Sequence, residues 1–191
     1  MHNIQFLLKI IWIFLFSFIL IYFYIKQRKN NRKPFNILNN SILNNFLNAL
    51  PIILFSVIII IIAFKIDLKS YKLFSLNNYF QILLLIINYL MLGFLFVSYK
   101  SLGESWRYNY ENDNFKLVTS GVYSYTRNPV FIFYNFSALI WFLLTGNLWA
   151  LMCLIFMIIF LHRKVLIEEK YLFKKFGKEY QLYAKKVPRY F

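Results

Sequence analysis

Residues 10–25 carry no charge, and with residues 4–8 ahead of Lys9 they are long enough to cross a hydrocarbon core of about 30 Å. Such stretches recur along the chain. A second covers about residues 46–64, wholly apolar over 57–63, with Pro51 near its first turn where a missing backbone donor costs little. A third covers residues 79–99, interrupted only by Asn88 and Gly93. A fourth starts at Pro129 and continues to Leu144, and a fifth resumes at Leu148 and ends at Leu161. The expected fold is all-α, an integral membrane bundle of about five transmembrane helices. Asn88 is uncharged, so its expected role is a bond to a neighbouring helix rather than to a ligand.

The 191 residues are 60% hydrophobic and only 15% charged, more apolar surface than a soluble domain of this size can hide. Cys153 is the single cysteine and sits in an apolar run, and His2 and His162 lie far apart, so neither an intrachain disulfide nor a metal site is expected. The net charge of +15 comes from basic residues flanking apolar spans, which suits anionic lipid headgroups and membrane orientation; no nucleic-acid partner is expected. The first span is read as retained rather than cleaved, because no small-residue cleavage pattern follows it. Instead Lys26, Arg28, Lys29, Arg32 and Lys33 come next.

Thr145, Gly146 and Asn147 separate the last two spans, a break short enough for a tight helical hairpin that puts Arg127 and His162 on one side of the membrane. With five spans, eighteen Lys and Arg residues fall on one side and four on the other. The positive-inside rule then places the N-terminus outside and the C-terminus in the cytoplasm. Residues 1–100 form a region of three spans and connections. Residues 101–191 hold a cytoplasmic loop, the hairpin and a helical tail.

Two polar blocks stand out in the second region. Residues 117–131 read LVTSGVYSYTRNPVF, where Thr119, Ser120 and Gly121 supply a turn and Pro129 opens a helix. The tail reads KVLIEEKYLFKKFGKEYQLYAKKVPRYF, with Gly177 ending one helix before a second short one. Glu168 and Glu169 are two of only seven acidic residues in the chain. They are either a solvated face, with Lys164 and Glu168 as an i,i+4 pair, or a carboxylate held at the membrane surface for a cationic or hydroxyl-bearing group. Leu172, Phe173 and Phe176 are expected to pack this helix against the bundle.

The first block, followed after the hairpin by EEKYLFKKFGKEYQLYAKKVPR, resembles the isoprenylcysteine carboxyl methyltransferases and their relatives, the membrane phospholipid methyltransferases. The resemblance covers residues 117–189 and, loosely, the spans before them. It implies an S-adenosylmethionine-dependent methyltransferase, with the cofactor bound on the cytoplasmic side between loop and tail. The cofactor-contacting positions that it implies are Lys116, Leu117, Val118, Tyr123, Asn128, Pro129, Val130, Phe131 and Glu168. Lys164 stands where the family has an arginine associated with substrate. Asn128 and Phe131 likewise replace a histidine and a tyrosine, which removes a titratable ring and a hydroxyl.

The residue types suit that chemistry. Methyl transfer from a sulfonium is an in-line displacement that needs no metal, so the protein aligns the partners and excludes water. Glu168 suits the cofactor's ammonium, and Tyr123 or Tyr125 its adenine or sulfonium. Arg127 or Lys164, with Arg163 as a neighbour, suits an anionic acceptor. The acceptor is expected to be lipophilic and to enter from the bilayer: a prenylated thioether carboxylate, a phospholipid amine or an isoprenoid acid. Two other readings stay open. One is an NADPH-dependent sterol or enone reductase, to which His162 and Arg163 lend support. The other is a non-catalytic membrane protein whose basic tail binds anionic lipid.

Overall fold

The computed structural model describes residues 2–29, 71–105 and 116–191, and every regular element among them is helical. Five α-helices follow in order: α1 (His2–Lys29), α2 (Asn78–Leu102), α3 (Pro129–Thr145), α4 (Leu148–Phe176) and α5 (Lys178–Lys186). Short 3-10 turns cover Gly103–Ser105 and Gly121–Ser124. Among the described residues three helices are long and apolar enough to cross a membrane, over Ile4–Phe23, Asn78–Leu102 and Leu148–Phe176, and α3 is a shorter apolar helix. This is the expected all-α membrane bundle; the span expected at residues 46–64 lies outside the described residues.

Local chemistry sets the helix ends. Asn77 caps α2 by accepting the Phe80 N–H at 2.9 Å, and Asn147 caps α4 by accepting that of Trp149 at 2.9 Å. Pro129 occupies the first turn of α3, where no donor is missed. Gly146 closes α3 in the left-handed region at φ 57°, and its carbonyl accepts the Leu73 N–H at 2.7 Å. A Cβ there would land on the Phe74 carbonyl, so both conformation and space require glycine. At 1.5 Å per residue, the 29 residues of α4 span about 44 Å, more than a hydrocarbon core, so its charged C-terminal turns extend beyond the apolar ones.

Polar and aromatic contacts fix the relative direction of the helices. Gln5 bonds to Asn78, Trp12 Nε1 donates to the Asn88 carbonyl at 3.1 Å, and Phe23 meets Tyr99 at 4.9 Å, so α1 and α2 run parallel. α3 runs antiparallel to α2, with Tyr134 beside Tyr99, Ser137 donating to Asn88 Oδ1 at 2.9 Å, and Phe142 against Phe74. Asn88 thus bonds to neighbouring helices as expected, joining α1, α2 and α3. Around it Trp12 stacks on Phe16 at 5.2 Å and meets Trp141 edge-on at 5.3 Å, the close packing that holds helices together where lipid removes the usual hydrophobic drive. The arrangement gathers the C-terminal ends of α1 and α2, the N-terminus of α3 and the charged turns of α4 at one end of the bundle.

Candidate functional site

At that end the central loop and the tail interlock. Gly121 takes φ 63° at the start of its 3-10 turn, and Tyr123 follows, buried, with its carbonyl accepting the Tyr183 hydroxyl of α5 at 2.7 Å. Tyr180, Tyr183 and Val187 form a small core with Leu117, Leu172 and Phe176. Phe173 does not join it and is 47% exposed. The expectation that Leu172, Phe173 and Phe176 all pack inward is therefore corrected for Phe173. Leu172 and Phe176 do pack, but onto α5 and the loop.

Glu169 is the electrostatic centre, 9% exposed. Arg189 donates to it three times, from Nε at 3.1 Å to each oxygen and from a terminal nitrogen at 2.8 Å to Oε2. Arg127 lies 3.4 Å from Oε1 and also donates to the Tyr180 hydroxyl at 3.2 Å. Asn128 Nδ2 lies 3.3 Å from the same Oε1 and 3.2 Å from the Arg189 carbonyl. The N-terminus of α3 adds its own positive end beside the carboxylate. A charge so deeply buried is tolerable only when paired and hydrogen-bonded in this way.

The last residues hold the cluster together. The Arg127 N–H donates to the Pro188 carbonyl at 3.0 Å, and the Thr126 hydroxyl donates to that of Arg189 at 3.2 Å. The Tyr190 hydroxyl lies 3.0 Å from His162 Nδ1, and Phe191 packs edge-on to Phe136. Successive residues from 188 to 191 thus run from the loop down the seam between α3 and α4. This places Arg127 and His162 at one end of the bundle, as the hairpin implied.

The positions implied by the resemblance fall as follows. Burial pushes the Tyr123 phenol well above its ordinary value, and the charge of Glu168 adds to the shift. Lys164 stands one helical turn before Glu168 and the two charges interact, so they share a face. Leu117 packs against α5, while the Lys116 carbonyl accepts the Ser105 hydroxyl at 3.1 Å. Val118 is half-buried, and Pro129 is buried. Val130 and Phe131 pack partly buried against the main core. Asn128 reaches Glu169 rather than Glu168, and Arg127 is engaged by Glu169 and Tyr180. Sequence reasoning singled out Glu169 with Glu168 but gave the cofactor role to Glu168 alone, and it passed over Arg189, Tyr180 and Tyr183 as site members.

A family model described as phospholipid methyltransferase matches residues 77–179, more than half of the chain. The chain belongs to this family. The match starts at the N-cap of α2 and runs into α5, so this phospholipid methyltransferase family member carries the family pattern in α2 as well as in the hairpin and tail. It is a membrane methyltransferase. The resemblance read from residues 117–189 had covered α2 only loosely. No curated protein matches the chain.

Proposed function

We propose that this protein transfers a methyl group from S-adenosylmethionine to a lipophilic acceptor that reaches the site from the bilayer. The observation that carries this reading is the junction of loop and tail, where the Tyr183 hydroxyl bonds to the Tyr123 carbonyl and Asn128 reaches Glu169, in a chain of the phospholipid methyltransferase family. The Glu168 carboxylate and the Tyr123 ring, which belong to the two segments that meet there, suit a ligand that is cationic at both its ammonium and its sulfonium. S-adenosylmethionine supplies an activated methyl group, so no metal and no covalent enzyme intermediate are needed. Glu168 holds the ammonium, Tyr123 lines the cationic side, and Lys116, Leu117 and Val118 with residues 128–131 frame the rest. Lys164, on the face of Glu168, attracts the polar group of the acceptor. Apolar helices flanking this end admit an acceptor's hydrocarbon part without exposing it to water. The excess of Lys and Arg expected at this end supports a cytoplasmic position for it, where the soluble cofactor is available.

The test uses purified protein in nanodiscs of total membrane lipid with methyl-labelled S-adenosylmethionine. Label is expected to enter the organic phase, and chromatography of that phase then identifies the acceptor class. Label that stays in the aqueous phase with well-folded protein contradicts the proposal.

A further inference from the structure

We infer that Arg189 is a positioning residue for this site, acting through Glu169 and Asn128 and not by touching the reacting groups. Its two halves work on two helices at once. The guanidinium clamps Glu169 of α4 with three hydrogen bonds, and the main-chain carbonyl accepts from both Thr126 and Asn128 at the start of α3. Asn128 is therefore fixed from both sides, by the carboxylate and by the carbonyl. The neighbouring acidic residues take different tasks: Glu169 is neutralised by Arg189 and Arg127 and serves as a scaffold, while Glu168, one helical turn after Lys164, is left as the carboxylate that the proposed function gives to the cofactor. Lysine at 189 keeps the charge but loses the planar two-pronged grip that fits a carboxylate.

The consequence for cofactor binding rests on the proposed function; the consequence for the strap of residues 187–191 does not. The experiment uses the full chain in nanodiscs and reads two quantities for the parent, Arg189→Ala, Arg189→Lys and Glu169→Gln. The first is hydrogen exchange in the peptide containing Arg127, whose N–H is bonded to Pro188, with α2 as reference. The second is S-adenosylmethionine affinity by calorimetry.

Arg189→Ala and Glu169→Gln are expected to speed exchange at Arg127 well beyond any change in α2, and to weaken the cofactor by about tenfold or more, because small displacements of positioning groups have large effects. Arg189→Lys is expected to recover part of both. Unchanged exchange and affinity in Arg189→Ala overturns the inference, as does acceleration throughout α2 as large as that at Arg127, which would make Arg189 a general stability residue. Failure of the parent to bind S-adenosylmethionine defeats the proposed cofactor instead, and the exchange data alone then decide the positioning role.

Discussion

Arg189 and Glu169, twenty residues apart, meet through three hydrogen bonds of 2.8 to 3.1 Å and close the C-terminal segment over the start of α3. With Arg127 also at 3.4 Å, two guanidinium groups depend on one carboxylate. Glu169→Gln leaves both without their counter-charge and is expected to cost about 2 to 5 kcal/mol, towards the lower end because Arg189 is partly solvated. Thermal unfolding in nanodiscs checks this; an unchanged midpoint contradicts it.

Asn128 separates hydrogen bonding from charge. Asn128→Ala removes one donor shared between Glu169 and the Arg189 carbonyl, an expected loss of about 1 to 3 kcal/mol. Asn128→Asp is expected to cost more than Ala at pH 7, because a second carboxylate then faces Glu169. Melting curves of the two variants at pH 7 read this; an Asp variant as stable as the Ala variant contradicts it.

Tyr183 gives the alkaline side of the stability profile. Burial raises its phenol above the ordinary value of 10.0, with Tyr180 adding to the shift and Arg127 opposing it. The folded state therefore keeps its proton to higher pH than the unfolded state. Stability is level below about pH 10 and falls above it, as the unfolded chain releases protons first. Tyr183→Phe is expected to flatten part of that fall. It also costs about 0.5 to 1.5 kcal/mol at neutral pH, through loss of the bond to the Tyr123 carbonyl. Denaturation between pH 8 and pH 11 measures both effects, and an equally steep fall in the variant contradicts the assignment to Tyr183.

Gly146→Ala tests the turn between α3 and α4. A left-handed alanine costs about 1 to 3 kcal/mol of strain, and here its Cβ also collides with the Phe74 backbone, so the loss is expected to exceed that range. Gly93→Ala is the control: a Cβ there meets nothing within 4 Å, and stability is expected to hold or rise. Unfolding midpoints of the two variants decide it, and equal stability would contradict the close approach.

Features set by the local backbone were legible in the sequence. Pro129 opens α3, Gly146 and Asn147 make the hairpin, and Gly177 ends α4, because each acts locally, through its own φ, a missing N–H or, for Asn147, a side-chain cap. Asn88 could be read as an interhelical bond because a polar side chain in an apolar span must find a partner. The division between Glu168 and Glu169 was not legible. Adjacent helical residues point about 100° apart, and only the packed position of α4 decides which one turns toward Asn128. Arg189 lies within the tail motif, but its partner is a long-range contact that no local pattern encodes. Arg127, read as a group for an anionic acceptor, is engaged by Glu169 and Tyr180 for the same reason.

The most direct test is calorimetric titration of S-adenosylmethionine into nanodisc-embedded parent protein and its Glu168→Gln variant, with melting curves of both. The expected result is saturable binding by the parent and a loss of about tenfold or more in the variant, with a smaller loss of stability than in Glu169→Gln, since the proposed function gives Glu168 to the cofactor while Glu169 is paired with Arg189 and Arg127. Equal affinity in parent and variant, or no binding by a well-folded parent, would contradict the assignment of Glu168 as the cofactor carboxylate.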